Sequence, residues 1–227
     1  MAKVVLVRHG QSIWNLENKF TGWVDVDLSK NGEKEALNAG KILQQTDIKF
    51  DVVYSSILLR AVRTLEIILH QINQENLVVF KDWRLNERHY GGLQGLNKQE
   101  IINIHGDEQV LIWRRSYDTK PPKIDNDSHE KLLNQKCFEG LNINTFPKHE
   151  SLKDTYSRLM PFLQKEFIPL IKSKKNIIIS AHGNSIRALL KYFEGISDEN
   201  IVKLEIPTGK PLLLEFNNNN LVSKKYL

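Results

Sequence analysis

The sequence predicts an α/β fold, a three-layer sandwich in which a mainly parallel sheet carries helices on both faces. Three observations predict it. Short continuous apolar runs such as "VVLV" and "NIIIS" recur along the chain, the pattern of strands buried on both faces. Helical patterns separate most of these runs, so strand and helix alternate. The chain has 227 residues, 41% hydrophobic and 26% charged, enough to bury a sizeable core in one domain spanning residues 1–227.

The elements follow in order. Val4 to Val7 is the first strand. Ser29 to Gln45 reads as an amphipathic helix, with Ala36, Ala39, Ile42 and Leu43 on one face. "FDVVYSS" (50–56) is a second strand, "ILLRAVRTLEIILHQI" (57–72) a second helix and "LVVF" (77–80) a third strand. "NKQEIINIHG" and "DEQVLIWRRSYD" are helices, with Gly106 as the stop between them. A long helix starts at Ser151 and runs to Lys174, with bends expected at Pro161 or Pro169. Asn176 to Ala181 is the fourth strand, and the next helix ends at Gly195. Pro211 to Phe216 is the last strand, followed by a turn at Asn217 to Asn220. The stretch from Lys120 to Lys148 is polar and weakly patterned, which leaves a disordered segment or a lid.

Composition removes several classes. One cysteine, Cys137, excludes an intrachain disulfide framework and a Cys-rich metal site, and favours a reducing interior. The apolar run at the amino terminus is too short for a signal peptide, and no stretch approaches a membrane span. A cytoplasmic protein, with no membrane partner, is expected. The net charge of +5 suits a small anionic ligand. It gives little support to nucleic acid, since the nearest basic run, Lys172 to Asn176, reads as a solvated loop.

The chemistry-bearing residues gather at strand ends. "VVLVRHG" and "IIISAHG" both run from a buried strand into His-Gly, at His9 and His182. In an open parallel sheet, ligands bind at the carboxyl ends of strands, so two such histidines can share one crevice. Two separate structural histidines are the alternative. Arg8 and Arg60 also follow strands, and Arg114 and Arg115 close a helix before a polar loop. A guanidinium is a planar, permanently charged fork for an oxyanion. Arg63 and Arg158 read instead as surface ion pairs. "WRLNERHYGGLQGLNK" (83–98) sets Glu87 among Arg88, His89 and Tyr90, a loop dense in acid, base and phenol. Its plainer reading is a structural Glu87–Arg88 pair. No P-loop, nucleophile elbow or zinc spacing is present.

"LVRHGQSIWN", "FTGWVDVDLS", "LNERHYGGLQGLNK", "IWRRSYD", "ESLKDT" and "AHGNSIRALLKY" together resemble the 2,3-bisphosphoglycerate-dependent phosphoglycerate mutases of the histidine phosphatase superfamily. The resemblance runs from the amino terminus to about Pro211. It implies that His9 carries the phosphoryl group, Glu87 donates and accepts the proton, and His182 stabilises the transferring group. Arg8, Asn15, Arg60 and Gly183 would line the phosphate pocket. Ser12, Thr21, Gly22, Arg88, His89, Tyr90, Lys98, Arg114, Arg115 and Asn184 would hold the rest of the substrate. The implied reaction interconverts 3-phosphoglycerate and 2-phosphoglycerate. It uses 2,3-bisphosphoglycerate as primer and intermediate and no metal. Bisphosphoglycerate synthase and phosphatase side activities are implied too, as is a homodimer or homotetramer. The sequence has Gln11 where many members have Glu. It ends soon after the last predicted strand, where longer members carry a tail over the site, and this leaves the balance of mutase to phosphatase open. A phosphatase of the superfamily and an inactive ligand-sensing relative are the other readings.

Overall fold

The computed structural model describes residues 1–227. Its centre is a six-stranded sheet of β1 (Ala2–Arg8), β2 (Val52–Ser55), β3 (Val79–Lys81), β4 (Ile177–Ala181), β5 (Pro211–Asn217) and β6 (Asn220–Tyr226). The order across the sheet is β3-β2-β4-β1-β5-β6. The first four in that order are parallel, while β5 pairs antiparallel with both β1 and β6. The sheet is thus mainly parallel, as expected.

Alternation along the strands builds the two outer layers. Val4 and Leu6 of β1, with Ile177 and Ile179 of β4, face one core; Val5, Val7 and Ile178 face the other. The second core is closed by α2 (Lys30–Gln44) and α3 (Leu59–Gln71), through Ala39, Leu43, Leu65 and Ile68. The first is closed by α7 (Leu152–Phe162), a π-helical turn (Leu163–Phe167), α8 (Ile168–Lys172) and α9 (Gly183–Glu194). The remaining helices are α1 (Ile13–Leu16), α4 (Lys98–His105), α5 (Asp107–Arg115), α6 (Asn126–Leu133) and α10 (Asp198–Ile201). None is long and apolar enough to cross a membrane.

Several details differ from the sequence reading. The long helix is interrupted by its π-helical turn at Leu163–Phe167, between the two prolines. Pro169 has no N–H to offer four residues back, and the widened turn accommodates that gap. Pro211 to Phe216 does not belong to the last strand, because Asn218 and Asn219 turn the chain into β6. Asn218 adopts φ 50°, a left-handed conformation that Asn tolerates in a hairpin. β6 is an edge strand with Asn220, Ser223, Lys224 and Lys225 among its seven residues, so it lacks a continuous apolar signature. The polar segment from Lys120 to Lys148 is folded: it contains α6, and its Leu132, Phe138 and Phe146 pack on Trp23 and Leu58.

Candidate active site

Register brings the two histidines together. β1 and β4 are parallel neighbours with Arg8 opposite Ala181, so both strands end at one level. The backbone N–H of His9 continues the ladder by donating to the Ala181 carbonyl at 3.0 Å. The rings of His9 and His182 then meet edge to face, with centroids 4.9 Å apart. Both are buried.

A hydrogen bond fixes the tautomer of His9. Nδ1 of His9 lies 2.7 Å from the Gly10 carbonyl, which can only accept, so this nitrogen carries the proton. Nε2 is left with its lone pair. Ser56 Oγ lies 2.7 Å from His182 Nε2 and already accepts from Leu58 N. Nδ1 of His182 is buried and has no hydrogen-bond partner in the protein. Burial, followed by the charges of Arg60 and nearby cationic groups, holds both imidazoles well below the usual histidine pKa. His9 is thus a neutral nucleophile.

The nucleophile loop is held by a contact that only glycines permit. A Cβ on Gly10 would stand 2.2 Å from the Gly32 carbonyl oxygen, and one on Gly32 would stand 2.1 Å from that of Gln11. The first turn of α2 therefore lies directly against residues 10 and 11. Gly10 N also donates to Thr64 Oγ1 of α3 at 3.0 Å.

Arginines surround the pair without carboxylates to neutralise them. Arg60, on the first turn of α3, gives its two terminal nitrogens to the carbonyls of Val24 and Gly22, at 2.9 and 2.7 Å. Burial pulls its pKa down to about 10. Arg8 Nη1 donates to the Ile206 carbonyl at 2.7 Å. The Nε atoms of both arginines are buried and unpartnered. Glu87 reaches the same place from its loop: Oε1 accepts from Arg88 N at 2.8 Å and from Asn184 N at 3.1 Å, at the start of α9. Its carboxylate does not pair with the Arg88 side chain.

One cavity joins these groups. It is lined by Arg8, His9, Asn15, Thr21, Gly22, Arg60, Glu87, Tyr90, Lys98, Arg114, Arg115, Gly183 and Asn184, all expected from the sequence. His182 lies just behind His9 and does not line the opening. Lys19, Phe20, Arg187 and Glu205 also line it and were missed. Arg187 shares a helix with the recognised "HGN" and lies one turn on from Gly183, which was the available signal. Seven cationic side chains meet two carboxylates there, so the cavity suits a ligand with more than one negative charge. Burial and the charges of Arg114 and Arg8 bring Lys98 down to about 8.

Three expected binding residues point elsewhere. Ser12 caps α1, accepting from Asn15 N at 3.1 Å. Arg88 is buried, donates to the carbonyls of Trp113 and Ser116, and stacks on Tyr90. His89 packs against Trp23, and its Nδ1 accepts from Gly91 N at 3.0 Å. Glu87 and Tyr90 line the cavity, while Arg88 and His89 are buried outside it. Arg158 is a further correction. Far from making a surface pair, it is buried, binds Glu150 at 2.7 Å and donates to the carbonyls of Arg84 and Glu87. Arg63 does form exposed pairs, with Asp27 and Glu33. No cluster of three or more His, Cys, Asp or Glu side chains is placed to hold a metal ion.

Paired strand-end histidines, a carboxylic acid and an excess of cationic side chains over carboxylates define a phosphoryl-handling site on an α/β sheet. The model of the histidine phosphatase superfamily (branch 1) matches residues 4–226, and the chain belongs to that superfamily. It is 50% identical over its whole length to a 2,3-bisphosphoglycerate-dependent phosphoglycerate mutase of Staphylococcus saprophyticus, covering 99% of that protein. It is also 50% identical to one of the same name from Hydrogenobaculum, covering 92% of it. Among solved structures, a mycobacterial glucosyl-3-phosphoglycerate phosphatase complexed with VO3 shares the fold, with a TM-score of 0.73 at 22% identity. The likeness covers 100% of this chain and 97% of that one.

Proposed function

We propose that this protein interconverts 3-phosphoglycerate and 2-phosphoglycerate through a phosphohistidine at His9, primed by 2,3-bisphosphoglycerate. The observation that carries the reading is the facing pair of His9 and His182, backed by a second cationic set at Lys98, Arg114 and Arg115. One set suits the transferring phosphoryl group, the other the far end of the same ligand. The buried, unpartnered nitrogens of Arg8, Arg60, His182 and Arg115 fit a primer that carries two phosphates and a carboxylate. When bound, that primer supplies the phosphoryl group that loads the enzyme.

Each residue's part follows from its chemistry. Nε2 of His9 attacks phosphorus and later returns the group to a substrate hydroxyl. His182 and the nitrogens of Arg8 and Arg60 meet the charge that spreads over the equatorial oxygens, the main source of catalysis in phosphoryl transfer. Glu87 moves the proton: its Oε2 makes no hydrogen bond to protein, while Oε1 is anchored by two backbone amides. Lys98, Arg114, Arg115 and Tyr90 hold the remainder while it turns. Synthase and phosphatase activities would arise when the acceptor is another phosphoglycerate or water. As an enzyme of soluble glycolytic intermediates it would work in the cytoplasm, as a homodimer or homotetramer.

A coupled mutase assay with and without added bisphosphate tests the reading. Activity should need the primer, survive excess EDTA, and accompany an acid-labile phosphohistidine that His9→Ala abolishes. A protein that only hydrolyses the bisphosphate, or never takes up label, does not carry out this reaction.

A further inference from the structure

Residues 204 to 206, between α10 and β5, serve the arginines of the cavity in three different ways. The Leu204 carbonyl accepts from Arg187 Nε and the Ile206 carbonyl from Arg8 Nη1, each at 2.7 Å. Between them the Glu205 side chain enters the cavity, with Oε1 2.7 Å from Arg115 Nη2 and Oε2 3.9 Å from Arg187 Nη2. The backbone here is pinned by these two part-buried bonds. The side chain of Glu205 is 71% exposed, so charge holds it rather than packing.

We propose that Glu205 is a specificity-determining residue, an internal carboxylate that competes with the distal anionic group of the substrate for Arg115 and Arg187. The proposal rests on the mutase reading, because it takes a phosphoglycerate as the ligand.

Glu205 stands where a second anion belongs. Arg115 has one terminal nitrogen on Glu205 and the other buried without a partner, a fork half filled. Arg187 is nearly buried, and burial and then Arg115 lower its pKa to about 10. Two crowded guanidinium groups share one carboxylate, so a stronger anion can displace it. Glu205 also has somewhere to go. With Arg115 it forms the wall between the cavity and a shallow outer groove lined by Leu111, Ile112, Val202 and Lys203, where the Lys203 ammonium offers another partner.

Ligands are therefore treated differently according to their far end. A lone phosphate at His9 leaves the Arg115–Glu205 pair in place. A phosphate ester that also carries a carboxylate or second phosphate must exchange with Glu205. That exchange weakens its binding, and it gives the arginines a substitute anion while the bound molecule turns.

Calorimetric titration of the unprimed protein separates these cases, with 3-phosphoglycerate and inorganic phosphate as the two probes. In Glu205→Gln, 3-phosphoglycerate should bind about threefold more tightly at low salt, the scale of an exposed ion pair. Inorganic phosphate should bind unchanged, and the gain should shrink as salt screens the pair. Unchanged or weaker 3-phosphoglycerate binding, or an equal gain for phosphate, overturns the assignment of Glu205. Failure of the wild-type protein to bind 3-phosphoglycerate at all instead overturns the mutase reading, and this proposal with it. The substitution is conservative and exposed, so the fold is not at stake.

Discussion

Individual atoms decide the chemistry at this site, and two residues make that measurable. Ser56 holds the His182 ring through Nε2, at 2.7 Å. Ser56→Ala should free that ring to rotate or change tautomer. The expected result is a fall in kcat of about tenfold or more, with KM little changed, as for other groups that orient a catalytic imidazole. A change confined to KM would show that Ser56 only shapes the pocket. Lys98, near 8, gives a second test. Its charge is present below that pH and lost above it, so KM for 3-phosphoglycerate should rise as pH climbs past about 8. Steady-state kinetics from pH 7 to 9.5 read this, and Lys98→Arg, which stays charged, should flatten the rise. The sequence marked Lys98 through "GLNK" but carried no mark for Ser56. Its partner lies 126 residues away, and one serine beside another after a strand looks ordinary.

At the scale of elements, the proposed general acid, Glu87, depends on a loop held from behind. Glu87 lies on an irregular segment with no ladder of its own. Arg158, from α7, fastens it by donating to the carbonyls of Arg84 and Glu87 while paired with buried Glu150. Glu150 in turn accepts from His89 N at 2.9 Å. Arg158→Met should leave the Glu150 charge buried and unpaired, costing about 3–5 kcal/mol in urea unfolding. The surviving folded enzyme should also lose kcat, because Glu87 loses its brace. A cost below about 1 kcal/mol would restore the surface reading of Arg158. That reading failed because an arginine on a helix looks solvent-facing until the loop that covers it is known. The longer helices and the parallel strands were legible, since periodicity and β-branched runs are local; α1, α6 and α10 were not. The hairpin strand β6 was not, because its edge position lets polar side chains occupy both faces.

The whole molecule stores a pH sensitivity in its buried imidazoles. His9 and His182 are held well below the ordinary histidine pKa, and burial takes His89 down to about 3. The unfolded chain, with histidines near 6.5, binds these protons first as pH falls. Stability from these groups is therefore intact above about pH 6.5 and drains away below it. At pH 5 each histidine should cost about 2 kcal/mol relative to pH 7.5. Urea midpoints at the two pH values measure the loss. If the midpoint does not move, the three imidazoles are not held neutral in the fold.

Local pattern alone determined the α/β class, the strand-end histidines, and which loops carry acid and cation, because these depend on residue types and short spacings. The tertiary structure decided which neighbours in a motif face the ligand. It turned Glu87 and Tyr90 inward and Arg88 and His89 away, buried Arg158, and brought Ser56, Arg187 and Glu205 to the site. Those outcomes depend on strand register and on contacts between segments far apart in the chain, and a pattern read over a few residues carries neither.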